Sequence, residues 1–257
     1  MAARFALMLD FDKTMTYSAR GCHTYYPTWR TVFAECLQFE LTDEIWAELR
    51  TFVRGSWRDT FGDVLCFLQG EFGVDCVHHR KMRDLAEILQ DKFLAFIRKG
   101  DVKERPGVRS LLSFAQRSNA PIGICTNALS AFVHEALRIL GLHHFVDEIV
   151  GCNDVYDYAV RTKSPVELLF KPASYPWKVL ARRLNVRGQQ VVIVEDRVRN
   201  AITAIRCRPS AQAFVLAHWD NREERIPREL RSRVRWIRRL SEVTALLRKK
   251  FGDSRRN

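Results

Sequence analysis

The stretch FALMLDFDKTMT, residues 5–16, decides the fold. Phe5, Leu7, Met8 and Leu9 make a short apolar run, the pattern of a strand buried on both faces of a parallel sheet. Asp10 and Asp12 flank Phe11 where that run must stop. A buried strand excludes carboxylates, so two like charges at its end demand a partner that reconciles them.

Working outward, two further apolar runs end in the same way. Pro121 to Cys125 is followed by Thr126-Asn127, and Gln190 to Val194, the plainest strand in the chain, runs into Glu195-Asp196. Around them, strands expected at 145–150, 213–217 and 234–237 alternate with helices expected at 108–116, 128–140 (closed by Gly141), 177–184, 199–206 and 241–251. This grammar predicts an α/β protein, a Rossmann-like parallel sheet with helices on both faces. Between the first strand and Arg105-Pro106-Gly107 the spacing is helical throughout. Trp29, Val32, Phe33, Cys36 and Leu37 make one stripe, and Ile45, Leu49, Phe52 and Val53 make another behind a cap at Thr42. Trp57 to Leu68 and Met82 to Phe96 supply two more. The expected organisation is therefore a core of residues 1–15 and 105–257, with an all-helical insertion over 16–104 whose aromatic stripes form its own core.

Ligands of an open parallel sheet bind at the carboxyl ends of its strands. If the three strands ending in polar residues are neighbours, Asp10, Asp12, Glu195 and Asp196 meet at one edge. Four uncompensated charges there would repel by several kcal/mol. A divalent cation removes the repulsion, and an all-oxygen donor set favours Mg²⁺, which keeps positions open for water and phosphate.

Four motifs in this order resemble the haloacid dehalogenase (HAD) superfamily of phosphatases and phosphotransferases: Asp10-Phe11-Asp12-Lys13-Thr14, Thr126-Asn127, Lys171-Pro172 and Glu195-Asp196. The 24-residue step from Lys171 to Glu195 fits, as do the stretches RPGVRSLLSFAQ, ALRILGLHHFVDEIVG and KPASYPWKVLARRL. The resemblance covers residues 5–15 and about 105–250. It implies that Asp10 is the nucleophile forming an aspartyl phosphate and that Asp12 is the general acid–base. It implies that Thr126, with Asn127 close by, contacts the phosphoryl oxygens, and that Lys171 neutralises charge on nucleophile and phosphate. It implies Mg²⁺ held by Asp10, Asp12 (through its carbonyl), Glu195 and Asp196. The insertion resembles a C1-type cap, whose closure excludes water and favours a small phosphorylated metabolite as substrate. An acid at Asp12 points to phosphate esters rather than carbon–halogen bonds.

The residues also admit plainer readings. Asp10 and Asp12 could make a turn, Thr126-Asn127 a helix N-cap, and Glu195-Asp196 a favourable helix start. Lys163 and Lys178 compete with Lys171, which is preferred for its following proline and its spacing. Lys13 and Asn200 stand where relatives commonly have glycine, and Asn200 is expected to take a left-handed turn. Residues 156–169 look like an extra flap carrying Arg161 and Lys163 toward the site, or else a surface loop. In the hinge after the first strand, Tyr17, Arg20 and His23 are candidates for substrate contact.

Composition bounds the rest. The 257 residues are 47% hydrophobic and 28% charged, without repeats or low-complexity segments. No apolar stretch is long enough to span a bilayer, and four residues before the first strand are too few for a leader. Seven scattered cysteines with no Cys-x-x-Cys pair read as reduced thiols of a cytoplasmic protein, and Cys22-His23 lacks the second ligand pair that zinc needs. Net charge is +12; residues 222–257 hold 13 Lys/Arg against 5 Asp/Glu. That basic end is a solvated helix surface or a grip for nucleic acid or another polyanion, with no nucleic-acid motif to favour the latter. The function expected is a Mg²⁺-dependent phosphatase of a small phosphomonoester. The alternatives are a phosphomutase, or a HAD-like protein whose basic C-terminal region serves RNA binding or assembly.

Overall fold

The computed structural model describes residues 4–18, 40, 42–55, 88, 91, 94–95, 97–100, 102–164, 169–186, 188–218, 221 and 223–252. The first strand, β1 (Phe5–Leu9), is fully buried and leads through a turn into a short strand, β2 (Thr16–Ser18). Helix α1 (Asp43–Gly55) follows, with Thr42 Oγ1 accepting from the Ile45 N–H at 3.4 Å. The chain returns through β3 (Val102–Glu104), which pairs antiparallel with β2. The helical stripes expected at 29–37 and 57–68 lie outside the described residues, as do Arg20, Cys22 and His23.

From there the alternation is regular: α2 (Val108–Arg117), β4 (Ile122–Cys125), α3 (Ser130–Ile139), β5 (Glu148–Val150), α4 (Cys152–Thr162), α5 (Tyr175–Arg183), β6 (Gln190–Glu195), α6 (Val198–Cys207), β7 (Gln212–Leu216), β8 (Val234–Ile237) and α7 (Leu240–Phe251). The six main strands form one parallel sheet in the order β5-β4-β1-β6-β7-β8. This is the Rossmann-like α/β architecture expected from the sequence.

The period of two along β1 divides the core. Phe5, Leu7 and Leu9 face a cluster that includes Leu111 of α2, Val133 of α3 and Val243 of α7. Ala6 and Met8 face the opposite cluster, with Trp177 and Leu180 of α5 and Ala201 and Ile205 of α6. Helices thus cover both faces, which explains why β1 carries no polar residue until it ends. On β4 the fit is close: a Cβ at Gly123 would lie 2.6 Å from Leu180 Cδ1 and 2.8 Å from Leu184 Cδ1, so a larger residue would force these α5-side leucines to move.

Register aligns the strand ends. Leu9 of β1 is level with Ile124 of β4 and with Val194 of β6. Asp10, Thr126 and Glu195-Asp196 therefore leave the sheet side by side at its carboxyl edge, with β1 in the middle and the chain order reversing around it. This is where open sheets bind ligands.

Three local expectations are corrected. The segment 156–169 is not one flap: α4 runs from Cys152 to Thr162, started by the Asp154 carboxylate accepting from the Gly151 N–H at 2.9 Å and ended by Lys163 in a left-handed conformation. The strand expected from Phe145 begins at Glu148, because His143–Phe145 make a single 3₁₀ turn. The helix expected from Ala128 begins at Ser130 with Leu129 as N-cap, which removes the capping role from Thr126-Asn127.

Candidate active site

Three carboxylates converge where β1 and β6 end. One oxygen from each of Asp10, Glu195 and Asp196 lies within 4.8 Å of the others, and all three residues are buried. Lys171, itself 3% exposed, enters this group from the loop before α5. Its Nζ donates to Asp10 Oδ1 at 2.5 Å and to Glu195 Oε1 at 2.8 Å, and it lies 5.6 Å from the centroid of the Trp177 ring. Neither Lys163 nor Lys178 is so placed: Lys163 ends α4, and Lys178 is exposed on α5.

The three acids have different surroundings. Glu195 is enclosed by donors: Oε1 also accepts from Asn200 Nδ2 at 2.8 Å, and Oε2 accepts from the N–H groups of Asp196 and Arg197, both at 2.8 Å. A carboxylate offers about four acceptor sites, and Glu195 uses them all within the protein. Asp196 Oδ2 meets His218 Nε2 at 3.1 Å and Arg197 Nε at 3.7 Å. Asp10 Oδ2 is buried with no hydrogen-bond partner among the described residues.

Burial works against every charge here. It raises the Asp10 pKa well above the ordinary value; Lys171 opposes that, while Glu195 and Asp196 add to it. Burial also raises Glu195, against the pull of Lys171. Asp196 goes the other way: burial opposes its charge, but the His218 hydrogen bond and the nearby Lys13 and Arg197 charges outweigh it. For Lys171 burial disfavours the ammonium, yet Asp10 and Glu195 hold it charged, with its pKa well above normal.

This donor set fits a hard divalent cation. The ligand atoms are oxygens, the acids outnumber the lysine, and one buried carboxylate oxygen has no partner, at a cost of about 1–3 kcal/mol if left so. A cation would lower the pKa of Asp10 by the attraction that the protein alone supplies insufficiently.

Around this centre, Asp12 is half-buried in the turn after β1. Lys13 takes φ 60°, in the left-handed region, and Arg105 Nη2 donates to its carbonyl at 2.6 Å. Thr126 is 2% exposed; its Oγ1 accepts from the Ala128 N–H at 3.1 Å, which leaves the hydroxyl hydrogen to donate elsewhere. Asn127 clamps Lys171: its Oδ1 accepts from the Lys171 N–H at 3.1 Å, and its Nδ2 donates to the Lys171 carbonyl at 3.3 Å. Asn200 sits inside α6 rather than in a left-handed turn, because its amide is drawn to Glu195.

A model of the family described as haloacid dehalogenase-like hydrolase matches residues 6–208. The chain belongs to that family. Three solved structures share its fold. CbbY from Rhodobacter sphaeroides, in complex with phosphate, superposes with TM-score 0.67 at 17% identity, covering 94% of this chain and 96% of that one. A predicted phosphoglycolate phosphatase from Haemophilus somnus 129pt gives 0.61 at 13% identity, covering 96% and 99%. The HAD-hydrolase YfnB from Bacillus subtilis, bound to magnesium, gives 0.58 at 17% identity, covering 96% and 99%. No curated protein matches the chain.

Sequence reasoning missed the outer supports of this HAD site: Arg105, His218, Asn221 and Glu224. A signal for two of them exists. His218 and Asn221 follow the end of β7 much as Asp10 and Asp12 follow β1, so the rule that polar residues at strand ends face the ligand edge reaches them too. The basic C-terminal segment gains no nucleic-acid reading. Arg233 is engaged internally, its Nη2 donating to the carbonyls of Ile205 (2.7 Å) and Arg208 (2.9 Å). Among the described residues, no helix is long and apolar enough to cross a membrane.

Proposed function

We propose that this HAD-family hydrolase is a Mg²⁺-dependent phosphatase acting on a small phosphomonoester through an aspartyl phosphate on Asp10. The observation that carries the reading is the buried Asp10 Oδ2, without a hydrogen-bond partner among the described residues, beside Lys171 and two further acids. A carboxylate held in place but incompletely satisfied is suited to react.

Asp10 and Asp196, with the Asp12 carbonyl, would hold Mg²⁺, and Glu195 adds its charge while fixing Lys171. Bound there, the cation neutralises charge shared between phosphate and carboxylates. Asp10 attacks phosphorus; the bond to the leaving oxygen breaks as Asp12 gives that oxygen a proton. Asp12, now a carboxylate, takes a proton from the water that hydrolyses the acyl phosphate. The Thr126 hydroxyl donates to a phosphoryl oxygen. Lys171 remains protonated throughout, held so by Asp10 and Glu195. Residues 16–104 act as a cap carried on the β2–β3 stem, selecting substrates small enough to be enclosed.

The test is phosphate release from a panel of phosphorylated metabolites, with and without Mg²⁺, using the wild type and Asp10→Asn. Mg²⁺-dependent release by the wild type and none by Asp10→Asn is expected. Retained turnover in the variant overturns the nucleophile assignment. Isomerised sugar phosphate in place of free phosphate reassigns the protein as a mutase.

A further inference from the structure

The loop after β7 has no role in the reaction above, yet it is built onto the segment that carries Asp196. Asn221 is 1% exposed, and its Nδ2 donates to the Asp196 carbonyl at 2.5 Å and to the Leu216 carbonyl at 2.8 Å. It thereby joins the ends of β6 and β7 just where their ladder stops. Its Oδ1 accepts from the His218 N–H at 2.9 Å. Glu224 completes the attachment. Its Oε2 accepts from the Val198 N–H at 2.7 Å, the first residue of α6, and its Oε1 pairs with Arg197 Nη1 at 3.1 Å. Asp196, Arg197 and Val198 are thus each gripped from one loop.

The grip presents one ring to the site. His218 is about 10% exposed at the side chain, and its Nε2 lies 3.1 Å from Asp196 Oδ2. A carboxylate oxygen only accepts, so the hydrogen of this bond is on Nε2. The ring is nearly enclosed, and its bond to Oδ2, with Arg197 on the same oxygen, restrains the rotation of the Asp196 carboxylate.

We propose that His218 is a positioning residue for the cation site. By fixing Oδ2 it orients Asp196 toward Asp10, so that the two carboxylates are arranged before the ion arrives. Asn221 holds the His218 backbone in turn, and Glu224 ties the same stretch to Arg197 and Val198. This rests on the reading of Asp10 and Asp196 as cation ligands. Outer partners of ligating carboxylates are worth about 10–100-fold in metal affinity, and His218 is expected at the lower end because Arg197 shares Oδ2.

The experiment is direct Mn²⁺ binding, followed by the electron paramagnetic resonance signal of free Mn²⁺, on wild type, His218→Ala, His218→Gln and His218→Phe, without substrate. Unfolding followed by circular dichroism in EDTA establishes that each variant is folded. The wild type is expected to bind one Mn²⁺. His218→Ala should bind about 10-fold more weakly, and His218→Gln, which keeps an N–H donor, should recover most of that loss. His218→Phe keeps the bulk of the ring without the donor and should resemble His218→Ala, so it decides the matter if the alanine variant does not fold. Equal affinity in wild type and the folded Ala or Phe variant overturns the role of His218 and leaves the cation reading standing. No Mn²⁺ binding by the wild type overturns the cation reading itself.

Discussion

Asp10 and Glu195 end adjacent strands, share Lys171 and are equally hidden from water, yet their situations are opposite. Every acceptor site of Glu195 is filled by a side chain or backbone N–H. Asp10 has one oxygen on Lys171 and one with no partner among the described residues. The contrast separates two uses of a buried carboxylate. A saturated one is a brace that fixes its neighbours; an unsaturated one retains attraction for something that arrives later.

The most severe way to break the contrast is Asp10→Asn. Turnover should fall by more than about 10³-fold, while the circular dichroism spectrum is unchanged, since Asn keeps the shape beside Lys171. Removing the shared lysine comes next. Lys171→Ala strands Asp10 and Glu195 in the interior, and loss of one partner of a buried ion pair costs about 3–5 kcal/mol. Its urea midpoint should fall accordingly in EDTA and rise on adding Mg²⁺; an unchanged midpoint would show that Lys171 is not what balances these charges.

Glu195→Gln and Asp196→Asn sharpen the contrast by pairing brace with ligand. Glu195→Gln turns one acceptor into a donor facing other donors, at about 1–3 kcal/mol, so it should lower the unfolding midpoint more than Asp196→Asn does. In cation titrations the order should reverse, with Asp196→Asn the weaker binder. Asn127→Ala should have the smallest effect. It removes the clamp on the Lys171 backbone, about 1 kcal/mol of stability, and should slow phosphate release without altering the affinity for Mn²⁺.

Much of this arrangement was legible in residues alone, for a physical reason. A strand buried on both faces must be apolar, so each polar residue that interrupts the run announces the strand's end. In a parallel sheet such ends gather on one edge. That logic located Asp10, Thr126 and Glu195-Asp196 and the order of helices and strands around them, whereas Lys171 came from the family resemblance, its following proline and its spacing. It failed where the deciding contacts were remote. The hold of the Asn127 amide on the Lys171 backbone, 44 residues away, had no local sign. Asn200 suggested a left-handed turn because its partner, Glu195, imposes a helical position that local preference does not. For residues 156–169 the sequence left a flap and a surface loop open, because the helix there is started outside that stretch, by the Asp154 carboxylate through its bond to the Gly151 N–H.

The antiparallel pair of Thr16–Ser18 with Val102–Glu104 has a consequence for how such a protein diversifies. Departure and return are hydrogen-bonded neighbours, so the long excursion between them is joined to the sheet like a cassette with adjacent ends. On the proposed role of this segment as a cap, exchanging it should alter which molecules gain admission without shifting any rung of the six-stranded ladder. A chimera with a foreign helical segment between Ser18 and Val102 should therefore bind Mn²⁺ as the parent does while its preference among phosphorylated compounds changes.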